Sequence, residues 1–261
     1  MIPIQSKVAL ILGHPGHELR VFRFLEMYKP RVYVLTDGSG RHHKSRVERT
    51  LRIIEQTGAS AGPVMGKFSD SEIYSIMRNG DIQPLFETMD EILEDLSDHK
   101  IDTIAGDSIE GFNPTHDLCR YMINGIVKQY ELQQNKTIPN YEFYLDGPPH
   151  TCPEGMKDVS LWIKLSEEDF ARKYEACKNY PEIFRDLDGL IQKYGAAPFH
   201  VECLWPVKNP GKYTTWKTDQ PYYETYGQEK IATGDYEELI SYETHLLPLA
   251  KKLSNYSDQL Q

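Results

Sequence analysis

With 261 residues the chain is long enough to bury a full core, as one large domain or one domain with an added subdomain. Its 39 acidic residues outnumber 29 basic ones, and the net charge of −10 argues against nucleic acid or an anionic membrane surface as partner. Cys119, Cys152, Cys177 and Cys203 form no CxxC pair, which excludes a zinc ribbon and a small disulfide framework.

No apolar run approaches the roughly 20 residues of a membrane span. The start, Met1 to Lys7, lacks the charged-then-apolar build of a signal peptide, so a cytoplasmic setting is expected. In chain order, Lys7–Leu12 is a continuous apolar run that predicts a strand buried on both faces. A helix is expected from Glu18 to Tyr28, then a second strand over Arg31–Thr36 ending at the turn Asp37-Gly38-Ser39-Gly40. Lys44 to Thr57 reads as a helix with Gly58 as C-cap. Ser69–Met77 and Gln83–Leu96 read as two more helices. Ile101–Ala105 is the next strand, and a helix follows over Asp117–Tyr130 with apolar residues every fourth position. Tyr141–Leu145 predicts another strand.

The second half is less regular. Pro148–Pro153 reads as a stiff loop and Asp158–Leu165 alternates like a strand. Ser166 is placed to cap a helix whose third position is Asp169. Phe199–Trp205 is a late apolar strand, Lys208–Gln220 a loop, and Tyr236–Leu253 a terminal helix broken near Pro248. The alternation predicts an α/β fold: a Rossmann-like, mostly parallel sheet with helices on both faces and a C-terminal extension. Residues 1–147 would form the core, and 148–261 an extension that completes the same domain and caps the site.

Two histidine segments follow strand signals. Gly13-His14-Pro15-Gly16-His17-Glu18 comes directly after the first, and Asn113-Pro114-Thr115-His116-Asp117 a few residues after Ile101–Ala105. Loops at the carboxyl ends of parallel strands converge on one crevice. His14, His17 and His116 are therefore expected to meet, and three neutral imidazoles with an open position suit catalytic zinc. Each segment also has a plainer reading. A histidine after a strand is often a turn or packing residue, and Glu18 is a favourable charge at a helix start. Arg46 and Glu48 suit solvated or tertiary ion pairs, and His42-His43 an exposed local basic pair. His150 and His200 suit core or surface roles, Cys203 a buried apolar position, and Tyr222, Tyr223 and Tyr226 packing.

Taken in order, these segments resemble the PIG-L/LmbE-like zinc-dependent N-deacetylases, which remove acetyl from N-acetylglucosaminyl groups. The family's His-Pro-Asp-Asp-Glu corresponds to His14-Pro15-Gly16-His17-Glu18. Its second strand ending in Thr-Asn/Asp-Gly, its Arg-x-Glu helix and its Leu-Gly end correspond to Leu35–Gly38, Arg46-Val47-Glu48 and Thr57-Gly58. Its Pro-Asp-His corresponds to Pro114-Thr115-His116, and Val201-Glu202 is similar to a late strand. The ordered match covers roughly residues 7 to 130.

The resemblance implies Zn²⁺ held by His14, His17 and His116, with histidine at the family's aspartate ligand position. That exchange makes the site more positive by one unit. It implies hydrolysis of an N-acetylated sugar or glycoconjugate, with Asn113 near the oxyanion. Gly16 occupies the position of the family's general-base aspartate, and Thr115 that of the aspartate before the last histidine. Asp37, Asp107 or Glu110, all just past strand ends, would then move the protons, and Gly16→Asp would raise the rate if none has taken over. Two other readings stand beside this one. The first is a catalytically impaired member of the fold that binds metal and a sugar or partner protein. The second is a nucleotide-binding enzyme, which the absence of G-x-G-x-x-G and the Pro15 imide disfavour. The reading leaves self-association into a homo-oligomer open.

Overall fold

The computed structural model describes residues 2–40, 44–216 and 218–256; the expected His42-His43 pair lies outside the described residues. The apolar run after Lys7 forms β1 (Val8–Leu12), buried along its whole length. Its side chains alternate between two cores: Ala9 and Ile11 face one layer, and Val8, Leu10 and Leu12 the other. A strand that feeds two cores needs helices on both sides.

The chain then makes a 3₁₀ turn over His17–Val21 and α1 (Phe22–Tyr28), a tighter entry than the continuous helix expected from Glu18. β2 (Arg31–Thr36) follows, then α2 (Val47–Thr57), which Gly58 ends in the left-handed region at φ 74°. β3 (Ser60–Phe68) comes next. The sequence reading missed β3 because Gly62, Pro63 and Gly66 interrupt its pattern. An edge strand tolerates such residues, and its pairing with β2 is irregular.

α3 (Asp70–Asn79) and α4 (Gln83–Asp98) lead to β4 (Thr103–Asp107) and the long α5 (Pro114–Gln134). β5 (Asn140–Phe143) ends the parallel part. β6 (Leu161–Lys164), α6 (Glu167–Lys178), α7 (Pro181–Tyr194), β7 (Val201–Pro206), α8 (Tyr222–Ala232) and α9 (Leu247–Ser254) complete the chain. The Ser166–Asp169 capping box forms as read. α7 and α8 were not anticipated. The expected terminal helix is shorter: a π-helical turn over Tyr242–Leu246 precedes α9, and Pro248 sits in its first turn.

The strand order is β3-β2-β1-β4-β5-β7-β6. The first five are parallel, and β7 and β6 add antiparallel, so the sheet is mostly parallel with helices around it. β1 lies between β2 and β4. Gly106 makes the close approach of β4 to β1 possible, because a Cβ there would run into the Ile11 carbonyl and the Ile123 side chain. No helix among the described residues is long and apolar enough to cross a membrane.

One polar clamp ties sheet to helix. Arg31 on β2 grips Asp95 of α4 with two bonds, Nε to Oδ2 at 2.6 Å and Nη2 to Oδ1 at 2.8 Å, and the Tyr33 hydroxyl donates to Oδ2 at 2.7 Å. Burial pushes the Asp95 carboxyl up, but its bonds to Arg31 and Tyr33 outweigh that and hold it below its ordinary value. A depressed folded value adds stability above the unfolded carboxyl's pKa of about 4, lost as pH falls through the folded value. Asp95→Asn should therefore cost about 1–3 kcal/mol at pH 7, with the gap to wild type closing in acid. Urea denaturation at pH 7 and pH 3 checks this; an equal gap at both would refute it.

Candidate metal and catalytic site

The site begins where β1 and β4 end side by side, since neighbouring parallel strands deliver their loops to the same edge. The β1 loop carries His14 and His17, and the first turn of α5 carries His116. The three rings converge. Centroids lie 5.3 Å apart for His14–His17, 5.2 Å for His14–His116 and 4.5 Å for His17–His116. A nitrogen about 2 Å from an ion puts its ring centre about 3 Å away, so three imidazoles on one tetrahedral ion sit about 5 Å apart. The spacing is therefore right for sharing an ion. The donor atoms themselves are not set as a cage: no three His, Cys, Asp or Glu side chains among the described residues are arranged to hold a metal ion.

Each β1-loop histidine is held from behind. His17 Nδ1–H donates to Asp107 Oδ2 at 2.9 Å, and the same oxygen accepts the Gly13 N–H at 2.7 Å. His14 Nδ1 lies 2.6 Å from Thr36 Oγ1 and 3.3 Å from Asp70 Oδ1. Both rings thus spend Nδ1 on the protein and keep Nε2 for something else. Carboxylate-held imidazoles of this kind are what metal sites use to fix tautomer and ring direction. Two buried nitrogens at the cluster, His14 Nε2 and His116 Nδ1, have no hydrogen-bond partner. A buried, unpaired donor or acceptor is costly unless a ligand completes it.

Burial pushes His17 down and outweighs the opposing pull of Asp107, so its pKa lies below its ordinary value. Burial and the facing His17 and His14 push His116 well below it. Both rings are therefore neutral at neutral pH, the form that coordinates metal. The donor set fits a divalent ion of the zinc type.

One further carboxylate shapes the loop. Glu18 is fully buried; its Oε2 accepts the Gly16 N–H at 2.8 Å and its Oε1 the Thr50 hydroxyl at 2.7 Å. Burial raises its pKa to about 7 against these bonds. Gly16 itself sits at φ 105°, and a Cβ there would lie 2.8 Å from Ile183 Cδ1. Both features select glycine at this position.

The expected proton carriers are dispersed. Asp107 lies at the cluster, but fully buried behind His17. Asp37 closes its own turn, with Oδ1 accepting the Ser39 N–H at 2.9 Å. Glu110 turns to the β5 end, accepting from the Leu145 and Asp146 N–H groups, and burial raises its pKa to about 8. Asn113 is the N-cap of α5, with Oδ1 accepting the Thr115 N–H at 2.8 Å, and it lines the same cavity as His14. Asp117, beside His116, accepts the Glu110 and Gly111 N–H groups and is raised by burial to about 7.

Two site residues escaped the sequence reading. Thr36 looked like the last strand residue before a turn. Asp70 lay unremarked in the helix expected over Ser69–Met77. Its Oδ2 accepts the Gly40 N–H at 2.7 Å. Burial pushes Asp70 up, but His14, Gly40 and Thr36 together hold it well below the usual carboxylate range. A Thr at the β2 end and an Asp at the α3 start were visible, but nothing local said that they would meet.

Two chambers open on the cluster. One, of about 170 Å³, is lined by His17 and His116 and by apolar side chains including Leu19, Ile183, Leu187, Leu190 and Phe199. The other, of about 660 Å³, is lined by His14, Asp70, Asn113, Tyr222, Tyr223 and Tyr226 among others. These tyrosines, for which packing was preferred over lining a sugar site, face a cavity, and Tyr223 also packs in the core. Phe112 borders both chambers and stacks on Tyr222 with centroids 5.3 Å apart. His200 lies elsewhere, stacked on Phe170 at 4.0 Å, and Cys203 is a buried packing residue.

No protein-family model matches the chain, and no curated protein sequence matches it. Among solved structures it is similar to a deacetylase in the biosynthesis pathway of teicoplanin. The bog complex of that enzyme superposes with a TM-score of 0.54 at 14% identity, and its teicoplanin complex with 0.51 at 13%. Each superposition covers 77% of this chain and 97% of the other. At such identities the likeness is one of architecture, and it establishes that this chain folds as those deacetylases do.

Proposed function

We propose that this chain is a zinc-dependent N-deacylase acting on the acetyl or other acyl amide of an amino sugar or glycoconjugate. The observation that carries the reading is the meeting of three buried imidazoles, two of them held through Nδ1 by Asp107 and by Thr36 with Asp70. The deacetylase of similar fold, solved with teicoplanin, is in keeping with such a substrate. His14, His17 and His116 would hold the metal. When bound, zinc supplies a Lewis acid for an amide carbonyl and acidifies water.

The chain's own residues do the rest. Asp107 and Asp70 keep the rings of His17 and His14 aimed. The tyrosine-lined cleft offers aromatic faces and polar groups to a sugar, as ligand pockets do. The Asn113 side chain stands beside His14 in that cleft, its oxygen engaged by the cap and its amide N–H groups available to an oxygen of the substrate. No carboxylate stands at Gly16, and Asp70 is held too far below neutral to be a strong proton acceptor. Loss of a general base typically costs about 10²- to 10⁴-fold, so turnover should be slow.

Purified protein should take up about one zinc per chain and release acetate from an N-acetylglucosaminide. His116→Ala should abolish uptake with the circular dichroism unchanged. Asp107→Asn should weaken zinc by about 10- to 100-fold, because the amide holds His17 less firmly. Protein that takes up no divalent metal at neutral pH refutes the reading. Zinc bound without hydrolysis of any N-acyl sugar would leave a sugar-binding protein, the alternative that Gly16 favours.

A further inference from the structure

We propose that the apolar chamber is an acyl subsite, so that the preferred substrate carries a medium-length N-acyl chain rather than acetyl. The inference rests on the deacylase reading and specifies its substrate. The argument is one of size and lining. By the same measure a single water needs about 10–15 Å³, so about 170 Å³ holds on the order of ten groups of that size. An acetyl methyl fills one such space. The walls are Leu19, Leu145, Ile183, Leu187, Leu190 and Phe199, with His17 and His116 among the lining side chains.

The cations at the wall do not make it an anion site. Lys173 Nζ is spent on Glu202 Oε1 at 2.7 Å and the Arg20 carbonyl at 3.0 Å. Arg20 donates Nε to the Tyr144 carbonyl at 3.1 Å and Nη1 to the Gly147 carbonyl at 2.7 Å. Of these residues' nitrogens, Arg20 Nη2 is buried without a partner, and its two N–H groups can donate to an oxygen such as the acyl carbonyl.

The two chambers also divide the substrate. Polar groups and tyrosines line the cavity on the His14 side, and aliphatic side chains the one on the His17 and His116 side, with Phe112 between them. An amide at the histidines would place its sugar in the first and its acyl tail in the second. Hydrolysis then forms the bond from water oxygen to the acyl carbon and breaks the carbon–nitrogen bond. Both water protons end on the nitrogen, so the products are a fatty carboxylate and an amino sugar that leaves as its ammonium form.

The test compares N-octanoylglucosamine with N-acetylglucosamine by calorimetry on protein without added metal. Each buried CH₂ is worth about fourfold in affinity, so about six added groups set a ceiling of about 4 × 10³-fold, and a preference of at least about 30-fold is expected. Leu187→Trp fills the chamber and should cut that preference to below about threefold. Leu190→Phe, a milder change, should lower it partway and covers the case in which the tryptophan variant does not fold. Equal binding of the two sugars overturns the acyl subsite, while acetate release by zinc-loaded protein would still uphold the deacylase reading. Tight octanoyl binding that Leu187→Trp and Leu190→Phe both leave unchanged also overturns it. Chamber-dependent octanoyl binding with no hydrolysis of either sugar in the presence of zinc upholds the subsite and overturns the deacylase reading instead.

Discussion

Glu202→Ala should destabilise the protein by about 3–5 kcal/mol, the cost of breaking a buried ion pair from one side. Glu202 lies on β7 and is fully buried. Its Oε1 accepts Lys173 Nζ at 2.7 Å and the Arg23 N–H at 3.0 Å, and its Oε2 accepts the Phe24 N–H at 3.0 Å. One carboxylate therefore neutralises a buried ammonium and satisfies two backbone donors in the first turn of α1, which have no partner within the helix. Alanine leaves all three exposed to an apolar interior. Lys173→Met added to Glu202→Ala should recover about half the loss, because the stranded charge is gone while the helix donors remain unpaired. Urea denaturation of the three proteins decides it. A single-variant loss under about 1 kcal/mol would show that water reaches the pair.

The second large effect concerns Gly16. On the deacylase reading, an aspartate here supplies the missing proton acceptor, yet Gly16→Asp alone should gain little. The backbone sits at φ 105°, where an L side chain is strained, and the new Cβ would press on Ile183. The single variant should lose about 1–3 kcal/mol of stability. Gly16→Asp with Ile183→Ala removes the clash and should raise the rate on an N-acyl glucosamine by about 10²-fold over Ile183→Ala alone. Initial rates at saturating zinc measure this. Equal rates for the double variant and Ile183→Ala would mean that another group already carries the proton.

The sequence made the scaffold legible where one pattern ruled a segment. β1, β2 and β4 are short apolar runs buried on both faces, and their parallel order forces His14, His17 and His116 toward one edge. β3 was hidden by its glycines and proline, whereas α7 was missed although Pro181 opens it and Gly195 follows its last residue. His14, His17 and His116 could be named because their loops follow strands. Their supports could not. Thr36 and Asp70 reach His14 from β2 and α3, a meeting set by how α3 packs rather than by spacing. Asp107 was noticed as a carboxylate past a strand end, but only its bonds to Gly13 and His17 show that it stands behind the ring. Glu110 and Asp37 look like Asp107 in sequence, but backbone N–H groups away from the histidines claim their oxygens.

Asp107 belongs to the sheet and to the histidine cluster at once: it ends β4, accepts the Gly13 N–H and holds His17. Ligand-bearing loops are usually drawn from the easily opened parts of a protein. This one is anchored to a central strand by a buried carboxylate, so it cannot swing away unless β1 and β4 part. The Gly13 amide should then exchange its hydrogen with solvent as slowly as the middle of the sheet. Recognition at the cluster would cost almost no ordering of the β1 loop, and adaptability would fall to the helices that wall the two chambers.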